Sequence, residues 1–121
     1  PDYCSMIKKV KVIKAIRVAQ DFKLELLRKY SPAAYLLDTH SNKGYGGTGF
    51  TFDWSKVAGA NTFGQIILAG GLRAENVGKA IEALRPFAVD VSSGVESEPG
   101  KKDFGLMKSF VEAVQKAEFL T

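Results

Sequence analysis

Four apolar segments recur along the chain, with polar segments between them. They are Val10–Val18, Ala33–Thr39, Phe63–Gly71 and Phe87–Gly94. The last three contain continuous apolar runs, which are typical of strands buried on both faces of a parallel sheet. In the first segment, basic and apolar residues alternate. The pattern predicts four β-strands.

A helical pattern follows each predicted strand. Apolar side chains recur at intervals of three and four residues, as on one face of a helix, except after the second strand, where we expect only a short helix. The positions are Phe22, Leu26, Leu27 and Tyr30; the segment from Trp54 to Gly59; Val77, Ala80, Ile81 and Leu84; and Met107, Phe110, Val111 and Val114. The first nine residues are expected to be the end of an earlier helix.

Capping and breaking residues mark the ends of these helices. Asp53 and Asp103 precede two of them, and Asp is favoured at a helix N-cap. Pro32 and Pro86 follow two others, and proline disfavours helical geometry in the residue before it. Strand therefore alternates with helix along the whole chain, which predicts an α/β fold with a parallel sheet.

Two architectures fit this alternation. One is a doubly wound open sheet with helices on both faces. The other is part of a (β/α)8 barrel, of which four strand–helix units would be half, since a full barrel takes about 200 residues or more. The one G-x-G-x-x-G match, Gly44–Gly49, neither directly follows a predicted strand nor opens a predicted helix, so a dinucleotide-binding sheet has no direct support. Periodicity alone leaves both architectures open.

The composition is that of one ordinary globular domain. The 121 residues are 45% hydrophobic and 25% charged, and no apolar run approaches the roughly 18 residues of a membrane span. The single cysteine, Cys4, excludes an intrachain disulfide and a multi-cysteine metal site. With no signal-peptide pattern, we expect a cytoplasmic protein. The net charge of +4 is spread along the chain, so we expect no nucleic-acid partner.

Chemistry-bearing residues stand where the predicted strands end. In both architectures functional residues gather at the carboxyl ends of strands. Those ends carry Arg17, Asp38–Thr39, Gly70–Gly71 and the segment Asp90–Gly94. Two ends therefore supply carboxylates, and two supply small residues whose backbone amides can approach a ligand closely.

The small residues predict a phosphate site. Gly70 and Gly71 precede a predicted helix, and Ser92, Ser93 and Gly94 follow the next strand. Backbone amides in such turns bind anions, and barrels often hold a phosphate between the loops after their last two strands. Either motif alone could equally be an ordinary turn or cap. Their occurrence at neighbouring strand ends predicts a phosphorylated small-molecule ligand, which the positive net charge would favour.

Asp38 and Asp90 are the candidate acid and base groups. Two leucines directly precede Asp38, and an apolar setting raises the pKa of a carboxyl group. A carboxyl group that stays protonated near neutral pH can act as a general acid. The alternative for each residue is a structural Asp that caps a loop, and it applies more to Asp90, which has two serines close by.

Three other residues are expected to have structural roles. His40 is the only histidine and has no partner ligands in the sequence, so we expect no metal site. Cys4 is interpreted as an ordinary helix residue, and Trp54 as an apolar anchor for its short helix. The glycine-rich segment after His40 is expected to form a loop at the mouth of the site.

Several longer motifs occur in a fixed order along the chain. They are VIKAI near the start, LLDT…GGTGFTFDW, ILAGGL…ENV and RPFAVDVSSGVESEPGKKD. In content and order they carry a close resemblance to the phosphoribosylanthranilate isomerases of tryptophan biosynthesis. This resemblance implies a (β/α)8 barrel in which residues 1–121 supply strands five to eight. The chain would then be the C-terminal half of one barrel domain, with the N-terminal half absent.

The resemblance also implies a reaction. In this Amadori rearrangement, N-(5-phosphoribosyl)anthranilate becomes 1-(2-carboxyphenylamino)-1-deoxyribulose 5-phosphate, without a cofactor or metal. A general acid opens the furanose ring to a Schiff base, and a general base then removes the C2 proton. By resemblance Asp38 is the acid and Asp90 lines the site, while the loops at Gly70–Gly71 and Ser92–Gly94 hold the phosphate.

One departure from the family pattern is serious. The family's general base is a cysteine in a K-x-C-G motif at the end of its first strand, and this sequence has no such motif. Cys4, in DYCSM, does not match it. The family's arginine after the second strand and its QLHG segment are also missing. The chain alone is therefore expected to be inactive or nearly so.

An open half-barrel leaves two edge strands unpaired and one sheet face uncovered. We therefore expect the chain to combine with a missing N-terminal half or to associate with itself. An alternative function is a non-catalytic phosphate-binding or assembly half-barrel. A sister barrel, such as an indoleglycerol-phosphate synthase or a ribulose-phosphate epimerase, would share the phosphate site but not GGTG-x-x-FDW.

Overall fold

Four parallel strands form a single sheet in chain order. They are β1 (Ile13–Arg17), β2 (Ala34–Asp38), β3 (Ile66–Ala69) and β4 (Ala88–Val89). The computed structural model describes residues 1–39 and 53–120. The predicted α/β fold with a parallel sheet is confirmed. The strand order never reverses, whereas a doubly wound sheet has a point where it does.

Helices and a hairpin connect and follow the strands. The α-helices are α1 (Asp2–Met6), α2 (Ala74–Leu84) and α3 (Phe104–Leu120), and 3₁₀ helices span Leu24–Lys29, Trp54–Val57, Ala60–Thr62 and Ser93–Val95. The hairpin pairs β5 (Glu96–Glu98) with β6 (Lys101–Lys102) in antiparallel fashion. Among the described residues, no helix is long and apolar enough to cross a lipid bilayer.

The predicted caps and breaks are observed. Asp53 Oδ1 accepts a hydrogen bond from the Ser55 amide at 3.1 Å, and Asp103 Oδ1 accepts one from the Leu106 amide at 2.8 Å. At the other end of α2, Arg85 adopts a left-handed conformation with φ 46° just before Pro86. These residues therefore set the helix bounds, as their positions in the sequence predict.

The helix predicted between Phe22 and Tyr30 is a short 3₁₀ helix instead. The hydroxyl of Tyr35 donates to the carbonyl oxygens of Leu27 at 2.7 Å and Tyr30 at 2.9 Å. Those hydrogen bonds satisfy two carbonyl groups at the end of the segment, and the backbone of Tyr30 is already extended before Pro32. Tertiary contacts here override the local helical pattern.

The hairpin was not predicted, although its turn has a recognisable sequence. Pro99 and Gly100 form the link between β5 and β6, and Gly100 has a φ of 81°. Proline followed by glycine at the two central positions is typical of a type II turn. The predicted fourth strand also extended too far, because β4 ends at Val89.

One face of the sheet carries the hydrophobic core. Tyr35, Leu37, Ile66 and Leu68 point to this face and are buried against the helical segments. The predicted stripe on α2 is confirmed: Val77, Ala80 and Ile81 are buried, and Leu84 packs against them. Burial of this stripe is what holds α2 against the sheet.

The stripe predicted on α3 is only partly correct. Phe110 is buried, but Met107 and Val111 are 38% and 52% exposed. Ala117 is buried and Ala113 packs against the core, so α3 approaches α2 closely through small residues. Met107 and Val111 lie one turn apart on another face, which no described element covers.

The opposite face of the sheet is apolar and, as far as the described residues go, uncovered. Side chains alternate between the two faces of a strand, so Ile13, Leu36 and Ile67 lie opposite the core residues of β1, β2 and β3. Ile13 is 56% exposed, and the other two are half-buried. Among the described residues nothing packs over this face, and β1 and β4 are the sheet's two edges.

Candidate functional site

Asp38 lies at the carboxyl end of β2, on the uncovered face. Leu37, the preceding residue, points into the core, so alternation directs the Asp38 side chain to the other side. The carboxyl-bearing residue is half-buried. Its own carbonyl accepts a hydrogen bond from the Val18 amide at 2.8 Å, which extends the β1–β2 ladder and fixes the backbone at this point.

Thr39 links this strand end to the next one. Its amide donates to the Ala69 carbonyl at 2.9 Å, and its hydroxyl lies 3.0 Å from the same oxygen and 3.3 Å from the Gly70 carbonyl. The position of the Gly70–Gly71 turn relative to Asp38 is therefore fixed by Thr39. No pattern in the sequence gives this threonine a separate role.

The turn after β3 requires its glycines. Gly70 and Gly71 have φ values of 94° and 66°, a region that side chains with a Cβ rarely adopt. Asn76, in the first turn of α2, clamps the end of the turn: its Nδ2 donates to the Gly71 carbonyl at 3.0 Å, and its Oδ1 accepts from the Arg73 amide at 2.8 Å. No pattern in the sequence singles out Asn76.

Gly94 brings the loop after β4 into contact with the turn after β3. A Cβ atom added to Gly94 would lie 1.9 Å from the carbonyl oxygen of Leu72 and 3.1 Å from Cγ2 of Val91. No side chain fits at that distance, so only glycine permits this approach. The two predicted phosphate-binding segments, Gly70–Gly71 and Ser92–Gly94, are thus adjacent in the fold.

Asp90 stands at the same end of the sheet as Asp38. It directly follows β4, is exposed, and its amide donates to the Leu68 carbonyl at 2.8 Å. Because Val89 packs against the core, alternation puts Asp90 on the uncovered face. Two strand spacings separate it from Asp38, about 10 Å. A small ligand over this end of the sheet could contact both carboxylates.

Lys102, at the end of the hairpin, reaches the loop after β4. Its Nζ donates to the Ser92 carbonyl at 2.9 Å and to Glu96 Oε1 at 2.6 Å. The hydrogen bond from Lys102, aided by one from the Gly100 amide, holds the pKa of the Glu96 carboxyl below its ordinary value. The sequence pattern did not single out either partner of this ion pair.

Cys4 is far from these residues. It lies in α1 and lines a cavity of about 550 Å³ together with Ala33, which precedes β2. Asp38 ends β2, so the length of a five-residue strand, about 17 Å, separates the two ends. Cys4 therefore behaves as the helix residue that its position in the sequence predicts.

Other predictions concern metals and the segment after Asp38. Within residues 1–39 and 53–120, no cluster of three or more His, Cys, Asp or Glu side chains could hold a metal ion. His40 and the glycine-rich segment that follows it lie outside the described residues. Trp54 packs against the core, as predicted for an apolar anchor.

Comparison with protein families and curated proteins gives consistent matches. The family model of N-(5'-phosphoribosyl)anthranilate (PRA) isomerase matches residues 1–113. The N-(5'-phosphoribosyl)anthranilate isomerase of Geobacter sulfurreducens is 50% identical over 111 residues, which are 92% of this chain and 54% of that protein. The isomerase of Syntrophomonas wolfei is 50% identical over 88% of this chain and 52% of its own length. The chain spans about half the length of the curated relatives it matches.

Solved structures agree in fold. The phosphoribosyl anthranilate isomerase of Thermotoga maritima is 44% identical with a TM-score of 0.76, over 89% of this chain and 53% of that one. Another structure, of a phosphoribosyl anthranilate isomerase in complex with reduced 1-(o-carboxyphenylamino)-1-deoxyribulose 5-phosphate, is 39% identical with a TM-score of 0.72. That match covers 89% of this chain and 50% of the other.

Proposed function

Because this chain belongs to the N-(5'-phosphoribosyl)anthranilate isomerase family, we propose that it is the acid-bearing, phosphate-binding half of such an isomerase. In this proposal residues 1–121 form strands five to eight of a (β/α)8 barrel, in the cytoplasm. The proposal is supported by four parallel strands in unreversed order, with an uncovered apolar face and two open edges. A second set of four strands would cover both edges and enclose that face.

The proposed reaction is the isomerisation of N-(5-phosphoribosyl)anthranilate to 1-(2-carboxyphenylamino)-1-deoxyribulose 5-phosphate. Asp38 donates a proton to the furanose oxygen as the bond between C1 and that oxygen breaks, which leaves an open-chain Schiff base. A base then takes the C2 proton, and the resulting enolamine becomes the ketone. The substrate is oxidised at C2 and reduced at C1, so the step needs no external oxidant or reductant, and the resemblance to the family implies no cofactor or metal.

Asp38 is suited to the acid role by its position. It sits on a strand whose backbone is fixed on both sides, by the Val18 amide and through Thr39. Proton transfer depends on holding the donor within hydrogen-bond reach of the acceptor, and a strand end holds it better than a free loop. The exposed carboxylate of Asp90, on the same face, would support the bound substrate from the other side.

The phosphate group of the substrate would lie where the two glycine-containing segments meet. Gly70 and Gly71 turn the chain sharply, and Gly94 brings the second loop against Leu72. Backbone amides that converge in such a concavity bind an anion well. This meeting of the two loops at the same sheet end as Asp38 is the observation that most supports the proposed function.

The general base is the missing component. The sequence has no K-x-C-G motif, and its single cysteine lies at the other end of the sheet. We therefore propose that the chain alone does not turn over substrate, and that a second half supplies the base. We propose the amino-terminal half of the Geobacter sulfurreducens relative as its source, because this chain spans 54% of that protein and resembles strands five to eight of the family.

A mixing experiment tests the proposal. Isomerase activity is measured for the chain alone, for the separately produced amino-terminal half of that relative, and for the two together. We expect activity only in the mixture, and an Asp38→Asn chain should fail to restore it. Activity of the chain alone would show that the missing cysteine does not matter.

Binding measurements on the same samples separate the alternative function. A chain that forms a complex with the added half and binds phosphate, yet gives no activity, would be a non-catalytic phosphate-binding half-barrel. A chain that binds no phosphate in either state would contradict both the isomerase half and this alternative.

A further inference from the structure

The hairpin and the loop after β4 are joined by one charged side chain. Lys102 Nζ lies 2.9 Å from the Ser92 carbonyl oxygen, 3.4 Å from Ser92 Oγ and 2.6 Å from Glu96 Oε1. The other carboxylate oxygen of Glu96 accepts a hydrogen bond from the Gly100 amide at 3.2 Å, across the hairpin turn. Turn, ion pair and loop therefore form one continuous network.

The neighbouring lysine makes a weaker contact. Lys101 Nζ lies 3.5 Å from Glu98 Oε1, and both side chains are about two-thirds exposed, at 69% and 66%. Exposed pairs of this kind contribute little to stability. The Glu96 side chain, by contrast, is only 14% exposed, and its bond to Lys102 is short and charge-assisted. The two adjacent lysines thus differ in their structural role.

The direction of the Ser92 carbonyl matters because a peptide group is planar. The Ser92 carbonyl and the Ser93 amide belong to the same peptide plane and point in opposite directions. Ser92 has φ −125° and ψ −85°, outside the commonly populated backbone regions. Its carbonyl also accepts a longer hydrogen bond, of 3.4 Å, from the Val95 amide. Among the described residues, Lys102 makes the shortest contact that holds this peptide in place.

We propose that Lys102 is a positioning residue for the phosphate site: anchored by Glu96, it holds the Ser92 carbonyl and so aims the Ser93 amide at the bound phosphate. This inference rests on the proposed function, which assigns the phosphate to the loop Ser92–Gly94. The competing role for Lys102 is that of a direct ligand of the phosphate through its ammonium group. The two roles differ in what Glu96 contributes.

Inorganic phosphate is the probe, and the chain itself is the protein to titrate. Binding is followed by NMR through the backbone amide signals of Ser93 and Gly94, which also report the conformation of the loop without ligand. Lys102→Met should shift both signals in the free protein and weaken phosphate binding about tenfold. Lys102→Arg should restore most of the affinity, because it can make both hydrogen bonds.

Lys101→Met is the matched control. It removes the same positive charge from the same hairpin but leaves the contacts to Ser92 intact, so phosphate affinity and both amide signals should stay as in the unmodified chain. An equal loss of affinity in Lys101→Met would mean that net charge, and not positioning, controls binding, and would overturn the inference.

Glu96→Gln separates a positioning residue from a direct ligand. The change removes a negative charge and leaves Lys102 free, so a direct ligand would bind phosphate as well as before or better. A positioning lysine would lose its anchor, and affinity should fall. The NMR signals of the free protein test the inference separately from phosphate binding. If the Ser93 and Gly94 amide signals are the same in Lys102→Met as in the unmodified chain, the inference is overturned, even if the unmodified chain binds no phosphate. If the unmodified chain binds no phosphate but the two amide signals do change in Lys102→Met, the result counts against the proposed function and not against the positioning role of Lys102.

Discussion

Asp38 follows a residue that is buried in the core, while its own side chain lies on the other face of the sheet. The residue before it points into the core, its backbone is held by the neighbouring strand, and its side chain lies over the uncovered face. A carboxyl group held in this way keeps its direction without occupying the space that a ligand needs. This is the arrangement that we expect of a proton donor that works on a rigid frame.

The acid role predicts a specific loss of turnover. In the mixture of this chain with a complementary half, Asp38→Asn should lower kcat by a factor of about 10² to 10⁴, because the amide cannot donate a proton of suitable acidity to the ring oxygen. The affinity for inorganic phosphate should stay the same. Asp2→Asn, in α1 at the other end of the sheet, is the control, and near-normal turnover of Asp38→Asn would refute the assignment.

Because Gly94 has no Cβ atom, the loop after β4 can approach the turn after β3. The Gly94 backbone approaches the Leu72 carbonyl so closely that a Cβ would lie 1.9 Å from the oxygen. Gly94→Ala should therefore push the two loops apart. We expect a loss of about 1–3 kcal/mol in the free energy of unfolding, together with weaker phosphate binding, measured by urea denaturation and by titration.

Gly78→Ala is the control, and it should change the free energy of unfolding in the opposite direction. Gly78 lies inside α2, and a Cβ there would meet only the Ala117 side chain at 3.9 Å, an ordinary contact. Gly78→Ala should raise the free energy of unfolding by about 0.5–1 kcal/mol, because alanine favours the helix. If both substitutions had the same effect, the close approach at Gly94 would not be the cause.

The β5–β6 hairpin makes stability depend on pH. Its network with Lys102 lowers the pKa of Glu96 in the folded chain below the ordinary value of 4.5. The ionised carboxylate therefore favours folding. Its contribution is fully present above pH 4.5 and is lost as the pH falls through the lowered pKa.

Comparison with Glu96→Gln measures this contribution. The unmodified chain should have the larger free energy of unfolding at neutral pH, and the difference should vanish in acid as Glu96 becomes protonated. Glu98→Gln removes the carboxylate of the exposed ion pair on the same hairpin, and its free energy of unfolding at neutral pH should stay close to that of the unmodified chain. A gap between the unmodified chain and Glu96→Gln that stayed constant from pH 7 to pH 3 would contradict the prediction.

Elements with a clear spacing of apolar or capping residues could be predicted from the sequence. Elements whose form depends on tertiary contacts could not. The stripe on α2 and the caps at Asp53 and Asp103 follow from sequence spacing alone. The segment from Leu24 to Lys29 shortened to a 3₁₀ helix because Tyr35, on the next strand, bonds to its end. Half of the α3 stripe faces away from the core, which the spacing of apolar residues cannot show.

The candidate site follows the same rule. Strand ends gave the positions of the two aspartates and the two small-residue segments, because parallel strands bring their carboxyl ends together. The clamps formed by Thr39, Asn76 and Lys102 were not predicted. Each one bonds to a backbone carbonyl outside its own element: that of Ala69 at the end of β3, of Gly71 in the turn before α2, or of Ser92 in the loop after β4. Such a partner leaves no periodic signal in the sequence.

As a whole, the molecule leaves much apolar surface open. Several large hydrophobic side chains are between 38% and 79% exposed. They are Tyr3, Met6, Val10, Ile13, Phe87, Phe104, Leu106, Met107 and Val111. Large exposed apolar side chains that adjoin one another often mark a contact with another protein surface. Among the described residues, Ile13 lies on the edge strand β1 and Phe87 directly precedes the other edge strand, β4.

Addition of a complementary half should therefore change the physical state of the chain. With the amino-terminal half of the Geobacter sulfurreducens relative, we expect a one-to-one complex in analytical ultracentrifugation and a fall in the fluorescence of a dye that binds apolar surface. Bovine serum albumin at equal concentration is the control. A chain that sediments at 13.2 kDa in the presence of that half would contradict the proposed architecture.

The two open edges also determine how such a complex would form. β1 and β4 run in the same direction at opposite sides of the sheet, so a partner that closes a barrel must pair with both of them in the final complex. The first edge to pair raises the effective concentration of the second, as in a chelate. Damage to either edge should then weaken assembly far more than one strand's hydrogen bonds would suggest, and half-closed complexes should be scarce.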